Sequence, residues 1–309
     1  MSSKHARVAI IDMGTNTFHL LIAEMSSKPK ILVRERDAVK VGKGGINKSV
    51  ITDDGFTRAL DALKRFKTII DETGVRKTLA FGTSAIRNAS NGRQLIEAIR
   101  STTGIETSII DGHEEAALIF RGVRAAMDLG TANSLVVDIG GGSVEFIIGN
   151  KHDMHWSRSF EIGGQRLLEE FQKFDPIGTA EVAALESFLE KQLEPLAEQL
   201  DKHKPSTLVG VSGTFDTLSE MFCNRNGLPY YADDSETPFD INAFQSIYKD
   251  LRTHDRAGRL ALPGMIEMRV DMIVVACVLV DVILRMQLFE NVRVSTYSLK
   301  EGVLASLLP

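Results

Sequence analysis

"LVVDIGGGSVEFII", Leu135 to Ile148, is the stretch on which the fold turns. An apolar run ends in Asp138, the glycines Gly140, Gly141 and Gly142 follow, and a second apolar run begins after Ser143. Glycines between two strands mark a tight turn, because glycine reaches positive φ at little steric cost. An acid just before them is ordinary turn chemistry. A run of glycines this long exceeds what a hairpin needs. It also lets a ligand approach the main chain, whose N–H groups bind phosphate oxygens.

A second stretch matches the first without a gap. "AIIDMGTNTFHLLIAE", Ala9 to Glu24, lies over Leu135 to Asn150 at a constant offset of 126 residues. Asp12 falls on Asp138, Gly14 on Gly140, Thr17 on Ser143 and Ile22 on Ile148. Few positions are identical, so the repeat is one of pattern: apolar strand, acid, small-residue turn, apolar strand. Such a repeat decides architecture. It predicts two similar lobes, each presenting one acid and one phosphate-sized loop, Gly14–Thr15–Asn16–Thr17 and Gly140–Ser143.

Length and composition agree. The 309 residues leave room for two domains, and 43% hydrophobic with 25% charged residues is the balance of a globular protein. Two cysteines, Cys223 and Cys277, suit a reducing compartment and make no metal-ligand cluster. The opening residues carry no secretory signal pattern, so a cytoplasmic location is expected. "MIVVACVLV" (Met272 to Val280) is far short of the roughly 20 apolar residues of a membrane helix. It reads as a buried helix, with no membrane partner. A net charge of −5 argues against broad nucleic-acid binding.

Outward from the two turns, strands are expected at Val8–Asp12, Phe18–Glu24, Ile31–Val41, Thr78–Phe81, Thr207–Val211 and Asn291–Val294. Helices are expected at Asp53–Glu72 behind an N-cap at Thr52, at Gly92–Thr102, from Asp111-Gly112 to Met127, and at Gln165–Phe174. Others are expected at Thr179–Leu200, from "SGTFDTLSEMF", at Glu267–Leu288 and at Leu299–Leu307, with Asn224–Asp240 a loop. This alternation implies α/β architecture with helices packed on sheets.

Paired acid-and-loop units resemble the actin-like (ribonuclease-H-like) architecture, two lobes with a cleft between them. Residues 1–125 with 298–309 would form lobe I, and 126–297 lobe II. Several further motifs occur in order along the chain: "IDMGTNTFHLLIA", "GTSAIRNASNG", "DGHEEAALIFRGV", "VVDIGGGSVE", "VSGTFDTL", and the late "RVDMIVVACVLVDVIL" and "VSTYSLKEG". Together they resemble the exopolyphosphatase / guanosine pentaphosphate phosphatase family, in its short form without an additional C-terminal helical domain. The resemblance implies an acid anhydride hydrolase. Its substrate would be inorganic polyphosphate or guanosine pentaphosphate, the latter tying it to the stringent response. It implies Glu115, the second acid of "GHEEA", as catalytic base, and Asp138 and Glu145 as metal-linked acids. It implies Gly14–Thr17, Gly140–Ser143 and the Gly213–Thr214 turn as phosphate-binding. Mg²⁺ is the expected cofactor, K⁺ a candidate activator, and a homodimer a candidate assembly. Ser298 stands where the family commonly has glycine, and Val144 where it commonly has threonine.

The residue chemistry is consistent with this. Attack on a phosphoanhydride needs a positioned water, a base, and cations against the phosphate charge. Asp12 and Asp138 are suited to hold Mg²⁺ directly or through its waters. Glu114 and Glu115 are adjacent on a helix, about 100° apart, so one points into a cleft. The plainer reading of either is a solvated acid favoured by the helix dipole. Arg87, Arg269 and His19 are candidate phosphate contacts, against surface ion pairing or packing. "THD" (Thr253–Asp255) reads as a loop and "KHK" (Lys202–Lys204) as a solvated helix end. Two rivals share the same cleft: an actin-like kinase transferring phosphate from ATP to a small acceptor, and a non-catalytic regulator that senses polyphosphate or nucleotide.

Overall fold

The computed structural model describes residues 6–308. Its first sheet collects β1 (Arg7–Met13), β2 (Phe18–Glu24), β3 (Lys30–Asp37), β4 (Lys77–Gly82) and β5 (Thr107–Ile109), in the order β3-β2-β1-β4-β5. Helices α1 (Asp53–Thr73), α2 (Ser84–Asn88) and α3 (Gly92–Thr103) connect them, and α4 (Gly112–Ala126) follows. Thr52 caps α1 by accepting from the Gly55 N–H, and Gly74 ends it in the left-handed region.

The second sheet repeats the plan. It contains β6 (Ser134–Ile139), β7 (Val144–Gly149), β8 (Met154–Phe160), β9 (Thr207–Val211), β10 (Glu236–Thr237) and β11 (Asn291–Ser295), in the order β10-β11-β9-β6-β7-β8. Its helices are α5 (Gly164–Phe171), α6 (Thr179–Gln192), α7 (Glu194–His203), α8 (Ser212–Asn226), α9 (Ile241–Thr253), α10 (Arg256–Leu260) and α11 (Ile273–Met286). α12 (Leu299–Ser306) follows β11 as α4 follows β5. β1 and β2 form an antiparallel hairpin with Asp12 opposite His19, and β6 and β7 form another with Asp138 opposite Glu145. β4 and β9 lie parallel to β1 and β6. The two units are thus the α/β lobes of an actin-like fold, matched strand for strand apart from the added edge strand β10.

Strand parity sets which residues meet. Along β1 the side chains alternate faces. Ala9, Ile11 and Met13 join the core beneath α1 and α3. Val8 and Ile10 join a middle core shared with Val136 and Ile147 of the second sheet, Ile119 and Val123 of α4, and Leu299 and Val303 of α12. Asp12 continues the Val8–Ile10 face and Asp138 the Val136 face. Both acids therefore point into the layer between the sheets, where α4 and α12 begin. The two helices cross closely: a Cβ on Gly302 would lie 1.8 Å from the Leu118 carbonyl oxygen.

Four expected elements differ. β3 stops at Asp37 instead of Val41, because the next residues leave the sheet and Lys40 takes φ 49. The long helix after Thr179 is two, breaking at Leu193 just before Pro195. The helix expected from Glu267 begins as one 3₁₀ turn, with α11 proper starting at Ile273. The loop expected at Asn224–Asp240 holds the end of α8 and the short β10.

Candidate active site

One cavity of about 140 Å³ lies where the two hairpins converge. Gly14, Thr15, Asn16 and Thr17 line it from one lobe and Gly140, Gly141, Gly142 and Ser143 from the other. The turns are built alike. Gly14 donates to the Thr17 carbonyl at 3.2 Å, and Gly140 to the Ser143 carbonyl at 3.1 Å. The other carbonyls face inward: Thr15 and Asn16 accept from Gly42 and Lys40, and Gly140, Gly141 and Gly142 accept from Gly164, Gln165 and Gly163. The N–H groups of Thr15, Asn16, Thr17, Gly141, Gly142 and Ser143 donate to nothing among the described residues. Two nests of free donors facing one small cavity make a site for anionic oxygens. Room for them depends on glycine: a Cβ on Gly142 would lie 2.5 Å from Ser84 Oγ and from Thr15 Oγ1.

Five acids face this cavity: Asp12, Glu115, Asp138, Glu145 and Asp216. Burial pushes Asp12 up to about 7 against the opposing pull of Lys300, and pushes Asp216 up to about 7 against Arg269. Burial also raises Asp138, whose Oδ2 accepts from Ser298 Oγ at 2.8 Å. Ser298 thus sets a hydroxyl on a cleft acid. Glu115 sits in the first turn of α4, behind an Asp111 N-cap that accepts from the N–H groups of His113 and Glu114. Glu115 is buried and Glu114 exposed, so α4 turns only the second acid into the cleft. Burial raises Glu115 to about 7, while Arg87 Nη1, 2.8 Å from its Oε2, pulls the other way. Burial, then proximity to Glu115, holds Glu145 well above the carboxylate range, and Ser159 Oγ donates to it at 2.7 Å.

Arg36, Arg269 and Lys300 supply the positive charge. Arg269 packs on Gly213, where a Cβ would lie 2.2 Å from its guanidinium. His19 also lines the cavity. Burial, with Lys300, Arg269 and Arg36 nearby, lowers it well below its usual value, so it is a neutral imidazole.

The structure thus gathers almost every expected residue, with two corrections. Arg87 does not line the cavity; it stands behind Glu115, bonded also to the Ile110 carbonyl at 3.0 Å and paired with Glu161. Thr214 is buried in α8 but does not line the cavity, whereas Ser212, Gly213 and Asp216 of the same helix do. Asp12, Asp138 and Glu145 make no ready metal cage: among the described residues no three carboxylate, imidazole or thiol groups are close enough to hold an ion by themselves. Sequence reasoning passed over Asp216, Arg36, Lys300 and Ser84. Asp216 was readable, one helical turn beyond Gly213. Lys300 stands inside the "SLKEG" motif. Arg36 becomes visible only through register, which sets it opposite His19.

Comparison with known proteins fits this geometry. The model of the Ppx/GppA phosphatase family matches residues 21–309. The chain belongs to the Ppx/GppA phosphatase family. It is 26% identical over 302 residues to exopolyphosphatase 1 of Mycobacterium tuberculosis, covering 96% of this chain and 87% of that protein. It is 32% identical over 216 residues to a guanosine-5′-triphosphate,3′-diphosphate pyrophosphatase of Photobacterium profundum, covering 69% of this chain and 43% of that protein. Among solved structures, an exopolyphosphatase from Cytophaga hutchinsonii superposes with a TM-score of 0.95 at 45% identity, over 98% of this chain and 97% of that one. The Aquifex aeolicus family member superposes at 0.79 with 27% identity, over 98% and 97% of the two chains. The Ppx/GppA chain is therefore a phosphatase of this group. None of its described helices is long and apolar enough to cross a membrane.

Proposed function

We propose that this chain hydrolyses the terminal phosphoanhydride of inorganic polyphosphate or the 5′-terminal phosphate of guanosine pentaphosphate, with Glu115 as general base. The observation that carries the reading is the pair of loops whose free N–H groups face one cavity with Glu115 on its wall. Nonbridging oxygens of the terminal phosphate accept from those N–H groups. A water beside Glu115 attacks phosphorus, its proton passes to the Glu115 carboxylate, and the P–O bond to the rest of the substrate breaks. The products are orthophosphate and a substrate shortened by one phosphate. Lys300 and Arg269 offset the charge, in a site too closed for bulk water to screen it. Arg87 keeps the Glu115 carboxylate oriented.

The donor set suits a hydrated Mg²⁺. All the donors are hard oxygens, Asp216 Oδ1 is buried without a partner, and a cage of direct ligands is lacking. Asp12 and Asp138 would hold the ion through its waters, with Glu145 behind them. When bound, it would supply positive charge against the phosphate oxygens.

Phosphate release tests this. Purified protein should liberate orthophosphate from polyphosphate or guanosine pentaphosphate without any acceptor, and lose that activity in a chelator. Glu115→Gln should lower the rate by about 10²–10⁴-fold, the usual cost of losing a general base, while Glu114→Gln keeps it. Equal losses would remove Glu115 from the base role. ADP formed from ATP only when an acceptor is added would favour the kinase.

A further inference from the structure

Glu161 stands in the turn between β8 and α5 and does not line the catalytic cavity. We infer that it is a positioning residue for the general base: acting through Arg87, it fixes the Glu115 carboxylate, and it does so only while the two lobes are closed. The inference rests on the base role of Glu115 proposed above and adds a residue to it.

Arg87, on α2, links the two carboxylates. Its Nη1 donates to Glu115 Oε2 at 2.8 Å and to the Ile110 carbonyl at 3.0 Å. One oxygen of the base is thereby taken, and Oε1 is left for the water. Nη2 of the same guanidinium donates to Glu161 Oε1 at 3.4 Å. A guanidinium is a rigid planar fork, so a hold on Nη2 fixes the direction in which Nη1 points. Without Glu161 the fork is gripped on one side only, and its plane is free to turn. The second Glu161 oxygen is tethered as well: Oε2 accepts from Ser84 Oγ at 2.7 Å and from Arg166 Nη2 at 2.9 Å. The Glu161 side chain is 42% exposed, and ion pairs at such positions add little to stability. What this one supplies is direction.

Ser84 and Arg87 lie at i and i+3 of α2, so both turn the same face to Glu161. They belong to the first lobe, and Glu161 to the second. When the lobes part, Glu161 leaves both together and the fork loses its outer hold. Ser157 and Ser159 precede Glu161 at alternate positions along β8, and they too meet the first lobe. Ser157 Oγ lies 3.1 Å from His113 Nδ1, and a Cβ on Gly112 would lie 2.4 Å from the Ser159 Cβ. One edge of the second lobe thus holds Arg87 and also seats the first turn of α4, from which Glu115 projects. The base takes its working orientation only against that edge, so an open cleft holds it loosely.

A double-mutant cycle tests this, read as phosphate release from whichever of inorganic tripolyphosphate and guanosine pentaphosphate the parent chain hydrolyses. Glu161→Gln should lower kcat at saturating substrate about tenfold, the scale of a slightly misplaced catalytic group. KM should rise too, since the Ser84 and Arg87 bonds join the lobes, but saturation removes that effect from kcat. In an Arg87→Gln background the same substitution should cost less than about twofold, because a residue acting through Arg87 has nothing left to act through. Equal losses in both backgrounds would overturn the role. So would a raised KM with kcat unchanged, which makes Glu161 a closing contact only, or no change in either. Thermal melting of the same samples reports an intact fold. Should the glutamine variant not fold, Glu161→Asp, which keeps the charge but draws it back from Arg87, is read in the same way. If Glu115→Gln loses rate and Glu161→Gln does not, only the Glu161 role falls. If Glu115→Gln keeps the parent rate, or the parent releases no phosphate, the base reading falls and the Glu161 role with it.

Discussion

At Glu115 two effects oppose each other, and burial wins: the carboxyl rises to about 7 although an arginine lies 2.8 Å away. Asp12 and Asp216 rise as far, for the same reason. Each of these groups takes up its proton in the folded chain at a higher pH than its unfolded value of about 4. Between about 4 and 7 the folded state therefore holds the extra protons, and stability from this source is lost as pH rises through that window. In the absence of divalent cations the melting temperature should fall from about pH 5.5 to about pH 8, and Mg²⁺ added at the higher pH should restore it. A melting temperature that climbs across that window would contradict the burial account. At this scale the sequence was legible where local pattern carries the chemistry: Asp12 and Asp138 each precede a turn of small residues. Arg87 was misplaced because its nearest partners, Ile110 and Glu115, lie on a different element, beyond the reach of local pattern.

The elements that matter most are α4 and α12, the helices between the sheets. One carries Glu115 and the other Lys300 and Ser298, so their crossing fixes the base relative to the acids. Gly302 and Gly122 permit that crossing; a Cβ on Gly122 would lie 2.2 Å from the Ser298 carbonyl oxygen. In an ordinary helix interior Gly→Ala gains roughly 1 kcal/mol. Here the new methyl would sit 1.8 Å from a backbone oxygen, which cannot swing aside. Overpacking typically costs about 1–3 kcal/mol, and so close a backbone contact belongs at the upper end or beyond. Gly302→Ala should therefore lower the melting temperature and cut kcat, because the helices separate and carry Glu115 and Lys300 apart. Thermal melting and phosphate release on the same sample check this; a stabilised, fully active variant would refute it. The hairpins were legible from their repeat, and most helices from caps and periodicity. Boundaries failed where the deciding signal was local and weak against an apolar pattern: Pro195 within a helical run, and the left-handed Lys40 after an alternating one.

The whole molecule is held in a closed state. Gly141 and Gly142 of one lobe abut Thr15, Asn16 and Ser84 of the other. At this seam Arg166 of α5 donates through Nε to the Gly142 carbonyl at 2.8 Å and through Nη1 to the Ile46 carbonyl at 2.9 Å, and pairs with Glu161. The Gly44 N–H donates to Glu169 and Ser84 Oγ to Glu161 at 2.7 Å each, tightening the same seam. The offset of 126 residues between the hairpins foretold two lobes facing each other. The clasp had no such signature, since Arg166 and Ile46 lie 120 residues apart in unlike surroundings. A substrate enters only when the lobes part, and it is held by both loops only when they close. Hydrogen bonds from a charged group contribute about 1.5–3 kcal/mol each. Of the Arg166 contacts only the bond to Ile46 joins the two lobes, since Gly142 and Glu161 share the lobe of Arg166; Arg166→Gln removes that bond from the closed state alone and shifts the population toward open. Apparent affinity scales with the closed fraction, so KM should rise several-fold or more for every phosphate substrate, while kcat from the closed complex changes little. Small-angle scattering of the substrate-free variant should give a larger radius of gyration than the parent, and saturating substrate should bring the two together. An unchanged radius with an unchanged KM would mean that closure is held elsewhere, by the α4–α12 crossing and the middle core, and not by the clasp.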